Sequence, residues 1–215
     1  MSLTKEIKSQ TIVIIAENFN PSIFNQHWLI KNGFVEENQM KNYVFSNEVA
    51  QFYTDDYKFL VAQNQIQFSL TNHSKDLFLV LESFLIKVLQ KLKEVPYKAL
   101  GVNFDWVIKD NELSTKELTK KLFFNENSEF YSQFSNEQNS RFGSYISVDF
   151  ENSRMKLDIR PAFINGETDN EILVFSFNFH VELNNREKYF EDLMSSLKGW
   201  KNYSNKAESI INILK

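Results

Sequence analysis

The sequence predicts an α+β protein, and three observations carry that expectation. Stretches with apolar residues at every second position alternate with stretches whose apolar residues recur every three or four, the change of period that separates strands from helices. The 215 residues are 42% hydrophobic and include 21 Phe against 5 Gly and 3 Pro, a composition that fills a core and does not sustain disorder. The order of segments in the first half, strand, helix, strand, strand, helix, strand, is that of a ferredoxin-like βαββαβ unit. An antiparallel β-meander with C-terminal helices follows it.

Taken in order, residues 11–18 contain the apolar run Ile12-Val13-Ile14-Ile15-Ala16, mostly β-branched, which predicts a central strand buried on both faces. Asn20, Pro21 and Gly33 punctuate one short amphipathic helix bearing Ile23, Phe24, His27, Trp28 and Ile30, with Asn20 as N-cap, Pro21 at the first helical position and Gly33 past the end. Residues 43–52 and 58–71 are rich in alternating Val, Phe, Tyr and Ile and read as two strands joined by Thr54-Asp55-Asp56. Ser74 and Asp76 suit the start of the next helix, whose stripe of Leu77, Leu81, Phe84, Leu85, Val88, Leu89 and Leu92 predicts one face laid on a sheet. Pro96 ends that helix. Leu100, Val102, Phe104, Trp106 and Ile108 then alternate along a strand apolar on one side.

From Asp110 the composition turns polar, with Ser114 placed to cap a helix over residues 115–124. Residues 145–150, 155–159 and 172–183 read as three further strands, turned at Glu151-Asn152-Ser153 and Asn165-Gly166-Glu167. The last has Leu173, Phe175, Phe177, Phe179, Val181 and Leu183 on one side and Ser176, Asn178, His180 and Glu182 on the other, so one side is expected to be wet or to face a partner. Residues 186–200 and 205–214 close the chain as helices. The expected organisation is a ferredoxin-like half at 1–110, a helical and polar link at 111–142, and the meander with its helices at 143–215, as separate units or one continuous domain. The pattern is compatible with a degenerate duplication around a shared sheet, without a residue-level repeat.

Composition also bounds function. With no cysteine, disulfides, thiolate metal sites and cysteine nucleophiles are excluded. No apolar run approaches the roughly 18 residues of a membrane span, and no secretory signal opens the chain, so a soluble cytoplasmic protein without a membrane partner is expected. A net charge of −4 disfavours nucleic acid as a partner. The five glycines lie too far apart for a phosphate-binding loop, no serine sits in a nucleophile elbow, and no cofactor is indicated. Residues 57–63 also lack the glycine-containing aromatic motif of RNA-recognition strands.

Two sets of residues are candidates for chemistry. His180 and Glu182, two apart on the polar side of a strand, point the same way, as a metal-ligand or acid–base pair requires; His27, His73, Asp105 or Asp158 would have to supply a third ligand. Asp149, then Asp158 and Arg160 on the next strand, follow the carboxylate, carboxylate, cation order of metal-dependent nucleases, with arginine where such sites use a titratable lysine. The bland reading covers both: Lys156, Asp158 and Arg160 alternate with Met155, Leu157 and Ile159 as the exposed side of any amphipathic strand would.

The stretch Asn18-Phe19-Asn20-Pro21-Ser22-Ile23-Phe24, followed by Trp28-Leu29 and Gly33-Phe34-Val35, resembles the opening of a family of uncharacterised bacterial proteins, a buried strand, Asn-Phe-Asn-Pro and a Trp-bearing helix. Asn103-Phe104-Asp105 fits the same family loosely. The resemblance implies an α+β protein of unknown function and supplies no catalytic residue; Phe24 and Trp28, aromatics at helical spacing, read by themselves as core anchors. With no convincing acid–base or metal set and 32 aromatic residues (21 Phe, 8 Tyr, 3 Trp), the leading expectation is a non-enzymatic binding or assembly module with a protein partner or a homo-oligomer. Its surface is expected to include the polar side of residues 172–183 or an aromatic-rich edge. The alternative is a metal-dependent hydrolase or nuclease using the carboxylates and histidine of the meander.

Overall fold

The computed structural model describes residues 3–73, 77–124, 128–135, 137, 140–163 and 171–214. The chain opens with β1 (Leu3–Ala16), a 3-10 turn (Pro21–Ile23), α1 (Gln26–Lys31) and a second 3-10 turn (Glu37–Gln39). Four strands follow: β2 (Lys41–Phe45), β3 (Val49–Tyr53), β4 (Tyr57–Ala62) and β5 (Gln65–Leu70). A continuous helical stretch comes next, α2 (Leu77–Val80), a π-helical turn (Leu81–Leu85) and α3 (Ile86–Gln90). The second half runs β6 (Tyr97–Asp110), α4 (Thr115–Phe123), α5 (Glu129–Ser135), β7 (Ser144–Phe150), β8 (Ser153–Phe163), β9 (Glu171–Glu182), α6 (Tyr189–Lys198) and α7 (Trp200–Ile213).

The nine strands of the described residues form one sheet in the order β2-β3-β4-β5-β1-β6-β9-β8-β7, and every neighbouring pair is antiparallel. The described residues of 1–110 hold six strands where the expected βαββαβ unit has four. Each of the two strands read at 43–52 and 58–71 is a hairpin, turned at Ser46-Asn47-Glu48 and at Gln63-Asn64. The extra reversals put four strands, β2 to β5, between the two helical segments where a ferredoxin-like unit has two, and β5 is the one that returns to β1. The hidden hairpin has a physical trace: the buried side falls on Tyr57, Phe59 and Val61 in β4 but on Ile66, Phe68 and Leu70 in β5, and an unbroken strand cannot change phase. Neither Gln63 nor Asn64 has positive φ, so the turn does without the Asn-Gly signature.

Two further expectations change. The 20–33 stretch is split: Asn20 caps the 3-10 turn, Asn25 caps α1 through the Trp28 amide, and Gly33, at φ 65°, ends it. β1 is central, but only Ile12, Ile14 and Ala16 are fully covered, while Val13 and Ile15 on the other side are half-buried. The Ser74 and Asp76 cap and the Asn165-Gly166-Glu167 turn lie outside the described residues.

Between its two edge strands the sheet is covered mainly on one side. Phe52, Phe59, Phe68, Ile12, Val102, Phe179 and Met155 lie in one register row across seven strands, and all are buried beneath helices. Over the first half, the π-helical turn brings Leu81, Phe84 and Leu85 inward together, and the Phe84 ring meets Phe52, Tyr57, Phe59 and Phe68 at 4.8 to 6.1 Å. Over the second half, Trp200 packs on Phe104 and Tyr203 on Phe179, at 4.6 and 5.1 Å. α4 is part of this layer, with Leu118 buried and Phe123 against Phe175. No helix among the described residues is long and apolar enough to cross a membrane.

Candidate interaction surface

Over most of its length the other side of the sheet is half-exposed. Its middle is a band of amides and hydroxyls, contributed by the alternate residues of β5, β1, β6 and β9 that the core does not use. Asn178 Nδ2 donates to Asn103 Oδ1 at 2.6 Å, Asn103 Nδ2 to the Thr11 carbonyl at 3.3 Å, and Thr11 Oγ1 to Ser69 Oγ at 3.0 Å. Gln67 Nε2 also donates to Ser69 Oγ, at 3.4 Å. These groups satisfy one another across four strands, as half-buried polar groups must. Beside the band lies a shallow hollow of about 420 Å³ lined also by Asp105, Lys156 and Asp158.

The residues singled out for chemistry all reach this side of the sheet, but they are spread along it. His180 Nε2 lies 2.6 Å from Glu182 Oε1, an adjacent pair on β9. Arg154 faces Asp149 at 2.8 Å, and Arg160 pairs with Asp158. In register Asp149 is opposite Arg154 and Asp158 opposite Tyr145, so the two carboxylates stand four residues apart along the strands, about 13 Å, too far to share an ion. His180 is opposite Arg154 and Ser176 opposite Asp158, which separates the His180–Glu182 pair from Asp158 by the same offset. Of the other ligands considered, Asp105 is in register with Ser176, His73 contacts Gln10, and His27 lies on α1 in the helical layer. Among the described residues no three His, Asp or Glu side chains come together in a way that could hold a metal ion.

Side chains with shifted proton affinity belong to packing and caps. Burial raises the hydroxyls of Tyr57, Tyr97 and Tyr203. The hydroxyl of Ser114, then its amide, hold Glu117 below its ordinary value, and the Glu112 amide, then that of Leu113, does the same for Asp110.

The sheet also has an open end. Among the described residues β7 pairs only with β8; Ile146 and Val148, on the helical side, are each 44% exposed, and Tyr145, on the other side, 63%. The strand is firmly held. Gly143 admits the chain beside β8, since a Cβ there would sit 2.5 Å from the Ile159 carbonyl oxygen. Arg154 bridges Ser147 Oγ and Asp149 on the wet side. At the far turn Asn152 donates to Ser196 Oγ and accepts from the Tyr203 hydroxyl, at 2.9 and 2.8 Å. This edge was not legible as a site, because its apolar residues read as core in a sequence that does not say which strand is outermost. The chain matches no protein-family model and no curated relative.

Proposed function

We propose that the protein is a non-enzymatic binding or assembly module that works as a homo-oligomer, its copies pairing along β7 so that the sheet continues from one to the next. The observation that carries this reading is the self-complementary edge Ser144-Tyr145-Ile146-Ser147-Val148-Asp149-Phe150. An exposed, regular edge strand offers unpaired backbone donors and acceptors to another strand, and natural proteins usually blunt such an edge. Antiparallel pairing about Ser147 would set Ile146 opposite Val148 of a second copy on the helix side, uniting four exposed aliphatic side chains. On the wet side Tyr145 would stand opposite Asp149, so that no like charges meet. Arg154 already balances Asp149 in each copy.

Light scattering across a concentration series tests this, with Ile146→Lys as the disrupting variant. A dimer that the substitution dissolves, with the circular dichroism unchanged, supports the reading. A strict monomer, or a dimer indifferent to Ile146→Lys, overturns it. The competing hydrolase or nuclease reading retains only the His180–Glu182 pair in its support.

A further inference from the structure

On the helical side, above the junction of the two halves, an open groove of about 800 Å³ runs between α3 and α6. Its floor is Phe34, buried, with the half-buried Phe190 and Met194. Its walls carry four lysines, Lys87, Lys91, Lys93 and Lys198, against a single acid, Glu191, in a chain whose net charge is −4. None of the four has an ion-pair or hydrogen-bond partner for its side chain among the described residues, although elsewhere Lys41 and Lys98 each hold a carboxylate. The sheet-edge reading does not use this groove, and the two stand or fall separately.

We infer that the groove is a docking site for an acidic amphipathic helix of a partner protein, apolar side chains on Phe34, Phe190 and Met194 and carboxylates against the lysines. Charge complementarity sets the sign of the partner, and the distribution of charge sets its kind. Lys87 and Lys91 stand one helical turn apart on one wall, at about 6 Å, and Lys198 stands on the other wall, so the positive charges follow the groove and do not converge on one point. A compact anion such as phosphate would also meet the C-terminal end of α3, whose carbonyl dipoles repel it. No arginine is among the described residues that line the groove. A helix laying anchors at three- and four-residue spacing into a groove matches both the apolar floor and the spread lysines.

The lysines are exposed, so charge reversal leaves the core intact. A fluorescein-labelled helical peptide of Glu and Leu, its leucines along one face, is titrated by anisotropy at low salt against the full chain, with a scrambled peptide of the same composition, inorganic phosphate and a single-stranded oligonucleotide as the other arms. The expected result is saturable binding of the patterned peptide, weakened at least about tenfold in the triple variant Lys87→Glu, Lys91→Glu, Lys198→Glu and unchanged by Lys156→Glu on the opposite side of the sheet. Met194→Ser weakens it in a salt-independent way. Three outcomes overturn the inference: no binding, equal binding of the scrambled peptide, or tighter binding of the oligonucleotide or of phosphate.

Discussion

β1 and β6 are each 14 residues long, lie side by side at the centre of the sheet and open the two halves of the chain, yet the halves they open finish differently. Each half leaves its opening strand through helical structure, travels to a far edge, returns by a meander to hydrogen-bond that strand, and covers the same side of the sheet with helices. The antiparallel pairing of β1 with β6 relates the two plans by an approximate two-fold. What differs is the margin. β2 is five residues long, has Asn42 at φ 47°, slips register between Lys41 and Val44, and presents a lysine. β7 is seven residues, keeps unbroken register with β8 and leaves aliphatic side chains uncovered. One edge is blunted by the means that prevent strand addition, and the other is not.

The plan shared by the halves makes the strongest prediction. Phe84 in the first half and Phe179 in the second are both fully buried, and Phe84→Ala and Phe179→Ala should each cost about 3–5 kcal/mol. Because β1 and β6 pair over nearly their whole length, either substitution should move one common unfolding transition in urea. Two separated transitions, one per variant, would show that the halves fold as independent units and would break the comparison at its root.

The contrast between edges predicts the next effect. Val44 on β2 is 51% exposed, much like Ile146 and Val148 on β7. If exposure alone caused association, Val44→Lys and Ile146→Lys would have equal consequences. With the edges as described, Ile146→Lys abolishes the dimer while Val44→Lys leaves it unchanged. Equal effects in light scattering would shift the argument from strand pairing to general stickiness.

How much of this was readable in the chain follows the same division. Period and punctuation identified the apolar stripe of Leu81, Phe84, Leu85, Val88 and Leu89, the alternation of β6 and β9, and the wet side with Asn178 and His180, because those signals are local. Pairing is not local. Residues 43–52 and 58–71 each read as one strand because their turns lack glycine, and the phase change from Val61 to Ile66 was the only trace of the second reversal. The polar band from Ser69 to Asn178 and the lysine groove between Phe34 and Met194 each draw on both halves of the chain, so neither has a spacing that a sequence could display.

Helix caps give a smaller and more specific contrast. α1 is capped by Asn25, an amide without charge, whereas α4 carries a capping box in which Ser114 and Glu117 serve each other. Ser114→Ala should destabilise by about 1 kcal/mol. The folded chain holds Glu117 below its ordinary value of 4.5, so its contribution is complete above that pH and is lost as pH falls through the lowered value. Amide exchange followed from neutral pH into acid should therefore show α4 loosening before α1, and Glu117→Gln should remove the difference. Loosening of α1 at the same pH would assign the effect to general charge repulsion.

The smallest expected effect concerns the imidazole–carboxylate pair of His180 and Glu182 on the wet side of the sheet. His180 and Glu182 lie near the end of β9, partly exposed, with the row partner Arg154 supplying positive charge where a metal site would need a further donor. A pair in that setting has the geometry of a surface ion pair, for which a contribution below about 1 kcal/mol is typical. His180→Ala should accordingly leave the unfolding midpoint nearly unchanged, and Zn²⁺, Mn²⁺ or Mg²⁺ should not raise the melting temperature. The two measurements decide more together than apart. A metal that binds the folded state must stabilise it in proportion to occupancy, so a rise in melting temperature that disappears in His180→Ala would install a metal site on β9 and revive the hydrolase reading. A rise that survives His180→Ala would place the ion elsewhere and leave the asymmetry of the two edges as the feature that function has to explain.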